Sequence, residues 1–284
     1  VPGWVRSCAD AERAGLVHVD HGSRVVSFRH EIIRRALYEQ LPSSRRLSLH
    51  EALGDALAEL DPSYWAGTIA IHYEACAAVD PARAVDSLTA AAALDADAYD
   101  LTSASERLAR ARELGVRHCV MDRRRHIELL TEEGDLRRRA GDRTHQQLLL
   151  DAIAMARTDG DPSLLGGAVL AYCRTGPTSA AGVFDVVGAA LLDEALETLP
   201  RSADDALRAR LLAAASMIHS VAPDKARSRE LYAESEELAR RIGDPAVLGE
   251  VLANAYWTVD TLDLMDERDR IADDLVALGG GGDP

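Results

Sequence analysis

The chain has 284 residues, 47% of them apolar and only 4% aromatic, and a formal net charge of −15. An alanine- and leucine-rich composition with so few aromatics favours many thin, closely packed helices over a β-sandwich, and the length allows one large domain or two smaller ones. With no run of about 18 apolar residues and no basic-then-apolar leader, neither a membrane span nor a signal peptide is expected and a cytoplasmic location is the default, while the acidic balance disfavours nucleic acid, so that any DNA contact is expected from a region outside these residues.

Residues 1–60 hold eight basic and eight acidic side chains, so the negative excess lies beyond residue 60. Val5 to Gly15 has the pattern of a short helix stopped by glycine. Leu16 to Asp20 and Arg24 to Arg29 are short apolar-rich runs on either side of His21-Gly22-Ser23, a turn signal. A helix over His30 to Leu41 follows, with Ile33, Leu37 and Leu41 on one face. After Pro42 comes a second helix, with Leu49, Leu53, Ala56, Leu57 and Leu60 as its stripe. Helix, hairpin, helix predicts a winged-helix module over residues 1–60.

From Asp61 onward the pattern is almost wholly helical. Asp61-Pro62 and Asp80-Pro81 are cap-and-start signals that bound a helix containing Trp65, Ile69 and Tyr73. Leu207, Leu211, Ala214, Ala215 and Ile218 form one apolar stripe, and Leu231, Ser235, Leu238, Ala239 and Ile242 another. Each helix is apolar on one side only and must lean on neighbours.

The clearest joint is Leu238 to Leu252, LARRIGDPAVLGEVL, where Gly243 can close one helix in the left-handed conformation, Asp244 can cap the next and Pro245 suits its first position. Gly160, Asp161 and Pro162 repeat it at an offset of 83 residues, and Gly282, Asp283 and Pro284 repeat it at the end of the sequence. Units closing at Ala111 to Gly115, Ala156 to Gly160, Ala195 to Pro200 and Ala239 to Gly243 are spaced 45, 39 and 44 residues apart. Two helices of roughly 15 to 18 residues with their turns fill that length. The whole pattern predicts an all-α fold, a TPR-like α-α superhelical solenoid over residues 61–284 preceded by the small winged-helix module, although the strict tetratricopeptide consensus is not met.

There is no phosphate loop, no nucleophile elbow and no dinucleotide fingerprint. His30-Glu31 and His50-Glu51 begin like a zinc-protease signature, but Arg34 and Gly54 stand where its second histidine belongs, so no metal site is expected. Asp266, Glu267, Asp269, Asp273 and Asp274 lack the glycine turn of a calcium loop and read as a solvated helix face. Cys8, Cys76, Cys119 and Cys173 are far apart and read as reduced packing thiols. The triplets Arg123 to Arg125 and Arg137 to Arg139 are 14 residues apart, about four helical turns, and on one helix would share a face able to grip an anion or an acidic partner. Glu133 and Asp135, each four residues before an arginine of the second triplet, favour ordinary surface pairing instead. Tyr64, Trp65, Tyr73, Tyr172, Tyr256 and Trp257 could line a concave ligand surface, though core packing is the commoner role for such residues. No catalytic residue is expected.

The stretch Phe28 to Leu53, FRHEIIRRALYEQLPSSRRLSLHEAL, resembles the end of the nucleotide-binding module in the MalT-like, large ATP-binding regulators of the LuxR family, a group of STAND-type signalling ATPases. The looser phrases ARRIGDPAVL and ARTDGDPSLL resemble their helical-repeat arm. The resemblance implies a fragment that lacks the phosphate loop and the C-terminal helix-turn-helix. Its role would be that of a non-enzymatic regulatory or sensor arm, with no cofactor in these residues but ATP or ADP in the parent protein. Arg29-His30-Glu31 would correspond to a Met-His-Asp-like triplet, with His30 touching the β-phosphate of ADP; the alternative is a helix-start residue on local backbone. The implied partners are a small-molecule inducer or a protein on the arm, DNA only through a domain not present here, no membrane, and a homo-oligomer of the parent. A pure scaffold solenoid, or the accessory arm of a kinase or an adenylate-cyclase-linked ATPase, are the other readings.

Overall fold

The computed structural model describes residues 2–20, 25–174, 184–201, 204–222, 225–258 and 265–279. Among them are fourteen helices and one two-stranded antiparallel ribbon, so the fold is mostly helical, with its strands near the N-terminus where the short apolar runs place them. The chain divides into two compact units, Val1–Ser87 and Leu88–Pro284.

In the first unit, α1 (Pro2–Arg13) closes at Gly15, whose φ of 72° lets the Leu16 N–H reach back to the Ala11 carbonyl. Strands β1 (Val17–Asp20) and β2 (Val25–Phe28) pair from Val17 against Phe28 to Asp20 against Val25. The expected turn at His21 to Ser23 lies outside the described residues. Then come α2 (Glu31–Gln40), α3 (Ser43–Leu60) and α4 (Ala66–Ala75). Helix α3 packs on α4, so the compact unit takes in residues beyond Leu60.

The face that α3 turns to α4 differs from the expected stripe. Gly54 is its buried residue, and a Cβ there would collide with the Tyr73 ring, so glycine is what lets the two helices approach. Leu49, Leu53, Ala56 and Leu60 are exposed instead. A close-approach glycine carries no hydropathy, which is why a stripe drawn from leucines points the wrong way. Asp61 does accept from the Ser63 and Tyr64 amides, at 3.1 and 3.0 Å, but this makes a turn; α4 begins after Trp65, which therefore caps the helix and is not within it.

The unit boundary falls within α5 (Pro81–Asp97). The second unit continues with α6 (Leu101–Arg117), α7 (Arg123–Arg139), α8 (His145–Asp159), α9 (Pro162–Cys173), α10 (Val186–Thr198), α11 (Asp205–His219), α12 (Ala226–Ile242), α13 (Pro245–Thr258) and α14 (Met265–Gly279). Asp100, Asp122, Asp161, Asp185 and Asp204 each accept a backbone N–H at the head of the helix they precede, satisfying donors that have no intrahelical partner.

Both described joints form as their residues dictate. Gly160 closes α8 at φ 82° and Gly243 closes α12 at φ 72°, and Pro162 and Pro245 open the helices that follow. Asp161 accepts from the Ser163 amide at 2.8 Å, and Asp244 from the Ala246 amide at 2.8 Å. The third copy, at Gly282 to Pro284, lies outside the described residues. Gly115 departs from expectation: α6 runs through it to Arg117, and the left-handed residue is Cys119. Gly115 is instead a contact point, where a Cβ would strike the Met121 side chain.

Consecutive helices from α6 to α14 pack on one another, and a second set of contacts skips one helix each time, joining α7 to α9, α9 to α11 and α11 to α13. The four odd-numbered helices thus form a row, and α8, α10 and α12 fill its intervals. Alanines 168, 209, 213, 214, 215 and 239 are all buried, and such small side chains permit the close spacing. Buried hydroxyls are satisfied across α11 and α12, where Ser216 donates to the Ser228 carbonyl and Ser235 to that of Ala209, both at 2.8 Å.

Candidate functional site: a four-helix arginine groove

The row of odd-numbered helices encloses a groove of about 400 Å³, the size of a small-molecule site. Helices α7 and α9 contribute from their C-terminal ends, α11 and α13 from their middle turns. Asp135, Arg138 and Arg139 come from α7, Arg174 from the end of α9, Arg210 from α11 and Glu250 from α13. The floor is apolar, with Leu170, Cys173 and Ala214 buried and Met217 beside them.

These charges form a chain across the row. Arg210 Nε donates to Glu250 Oε2 at 2.8 Å, and Arg174 reaches Glu250 Oε1 at 3.2 Å. Arg174 also lies 4.0 Å from Asp135 Oδ2, while Asp135 accepts from Arg138 at 2.8 Å. Arg139 is exposed and has no hydrogen bond or ion pair among the described residues. Four guanidiniums therefore meet two carboxylates, in a chain whose overall balance is strongly negative. Helix C-termini favour cations by about 0.3–1 kcal/mol within the last turn, which accounts for an arginine at the end of α7 or α9 but not for four converging on one opening.

The floor is chemically quiet. Burial pushes the Cys173 thiol up to about 12, and the neighbouring Asp185 charge adds to the effect. Its Sγ lies 3.7 Å from the Gly188 carbonyl. At neutral pH it is a thiol, not a nucleophile.

The two arginine triplets do lie on one helix, α7, but are used differently. Arg123 faces Asp159 at 3.7 Å, Arg124 pairs with Asp161 at the α8–α9 joint, and Arg125 pairs with Glu128. Of the two expected four-residue pairs, Arg137 with Glu133 forms, at 2.9 Å, whereas Asp135 turns to Arg138 and leaves Arg139 without a partner among the described residues. Glu133 is 1% exposed and also accepts from Arg112 at 3.1 Å. Only the last two arginines of the second triplet line the groove. The converging arginines 174 and 210 belong to no motif, and spacing along the sequence gives no signal for them.

The other candidates sit elsewhere. His30 is the exposed N-cap of α2, with extended backbone (φ −139°, ψ 133°) and no side-chain hydrogen bond to the helix; Glu31 beside it pairs with Arg34. His50 hydrogen-bonds Tyr38 at 2.9 Å and His72 at 2.8 Å. Tyr73 is a core residue linked to Asp55 and Arg83, and Tyr64 stacks edge-on against Trp65. Tyr172 is 3.4 Å from Gln146, and Tyr256 lies under the Arg268 guanidinium, so neither lines the groove; the Trp257 side chain lies outside the description. In the acidic cluster Asp274 is engaged by Arg240 and Arg270 and so departs from a purely solvated face. Cys119 is exposed in the turn after α6, unlike the packing thiols Cys76 and Cys173.

Compared with known proteins, the chain matches no family model and no curated sequence.

Proposed function

We propose that this chain is the non-catalytic regulatory arm of a bacterial ATP-dependent transcriptional regulator of the MalT-like LuxR type, with the second unit as a TPR-like solenoid that receives an effector. Binding shifts the population of a nucleotide switch, and through it DNA binding, elsewhere in the parent protein. The observation that carries this reading is the groove on α7, α9, α11 and α13. Its lining spans Asp135 to Asn254, so one occupant touches four helices distant in sequence and can alter their mutual packing. The helix–ribbon–helix order before residue 60 supports the winged-helix assignment, and an exposed His30 without a hydrogen-bond partner on its helix is compatible with a phosphate contact.

The test is thermal unfolding of the 284-residue chain with the low-molecular-mass fraction of a bacterial extract. An effector near a hundredfold its dissociation constant stabilises by about 2.7 kcal/mol, a shift of several degrees. That shift is expected, and expected to vanish in Arg174→Ala. Unchanged melting, together with capture of a protein partner, would transfer the reading to a scaffold.

A further inference from the structure

We infer that the groove takes a small organic dianion, a phosphate ester or polycarboxylate with an apolar body, whose charged groups bind Arg139 and Arg174 and displace Glu250. This rests on the effector-receiving reading of the arm and names the ligand's chemistry.

Three observations converge. First, the arginines exceed the carboxylates, and Arg139 keeps an exposed guanidinium without a partner among the described residues. The guanidinium fork matches carboxylate and phosphate oxygens and is less strongly hydrated than an ammonium, so it is the side chain suited to such anions. Second, Arg174 and Arg210 share the single carboxylate of Glu250, one on each oxygen, at 3.2 and 2.8 Å. Glu250 thus occupies the position of an anionic ligand between two cations, and an incoming dianion can replace it. Third, the floor of Leu170, Cys173, Ala214 and Met217 offers no charged group, so the part of the ligand that reaches it is apolar.

Displacement has a structural consequence. Glu250 is the groove's ion-pair link from α13 to α9 and α11, and freeing it loosens that link while the ligand ties α7 to α9. An anion entering the groove therefore exchanges one set of contacts along the row for another, which is what a population shift requires.

The experiment is isothermal titration of the full chain with phenyl phosphate and with phthalate, using benzyl alcohol as the neutral control and polyglutamate as a macromolecular anion. Both small dianions are expected to bind, and benzyl alcohol is not; the tighter of the two identifies phosphate or carboxylate as the native group. Arg139→Ala, at an exposed site, is expected to melt as the parent chain does and to weaken binding at least tenfold, and Glu250→Gln to tighten it severalfold by freeing Arg174 and Arg210. The inference is overturned if neither dianion binds, if both variants bind as the parent chain does, or if polyglutamate alone binds. A neutral extract component that stabilises the chain while these dianions do not bind would overturn the ligand assignment and leave the regulatory reading standing. Dianion binding that passes these tests, without effect on the parent's DNA binding, would uphold the site and remove the regulatory reading.

Discussion

Tyr99 and Cys119 occupy left-handed backbone positions, at φ 61° and 56°, that glycine fills after α1, α7, α8 and α12. Each closes its helix in the same way: the Asp100 N–H reaches Asp95 O at 2.8 Å, and the Val120 N–H reaches Gly115 O at 3.1 Å. A side chain in that conformation costs about 1–2 kcal/mol, partly offset when glycine loses more entropy on folding. Tyr99→Gly and Cys119→Gly are therefore each expected to raise stability by about 0.5–1 kcal/mol in denaturant titrations. Glu133 is the opposite case, a nearly fully buried carboxylate held by Arg112 and Arg137, with Arg137 Nε buried and without a partner among the described residues. Glu133→Ala would take the carboxylate from Arg112 and leave Arg137 with Asp142 and Thr144, and is expected to destabilise by about 1.5–3 kcal/mol. At His30 the expectation is functional: in the parent protein His30→Ala raises uninduced activity or shifts ADP affinity, and an unchanged value of both would remove the phosphate-contact role.

Between elements, the pairing of α12 with α14 depends on pH. Burial alone would push the Glu236 carboxyl up, but hydrogen bonds from Arg270, Tyr232 and Arg240 outweigh it and hold the carboxyl down at about 2. Because the folded value lies below the ordinary 4.5, the contribution to stability is complete above 4.5 and is lost as pH falls from 4.5 towards 2. Amide exchange in α14 is expected to accelerate across that window, and Glu236→Gln to flatten the response. In the first unit the sign is the same at higher pH. Burial, then the neighbouring His50, holds the His72 imidazole below its usual 6.5, so stability there is lost as pH falls below 6.5. The α8–α9 joint makes a simpler prediction. Asp161→Ala removes two cap hydrogen bonds and the Arg124 pair, and is expected to cost about 1–2 kcal/mol.

Across the molecule, what the sequence made legible was local. Gly-Asp-Pro sets φ, cap and first turn within three residues, so the joints at Gly160 and Gly243 follow from chemistry that needs no tertiary partner. The stripe of α11 is readable because Leu211, Ala214, Ala215 and Ile218 are all apolar and all buried. The face of α3 was not, because its contact is made by Gly54 against Tyr73, a matter of space and not hydropathy. The groove was half legible: the triplet at Arg137 marked α7, but Arg174, Arg210 and Glu250 are brought together only by the contacts between α7, α9, α11 and α13, and no one-dimensional spacing encodes them.

The central claim is that those four helices act as one receiving surface. Hydrogen–deuterium exchange of the 284-residue chain with and without phenyl phosphate tests it directly. Slowed exchange is expected together at Asp135 to Arg139 of α7, Leu170 to Arg174 at the end of α9, Arg210 to Met217 of α11 and Glu250 to Asn254 of α13, with α12 and α14 unaltered. Protection confined to one of the four helices, or appearing only outside the row, would contradict it.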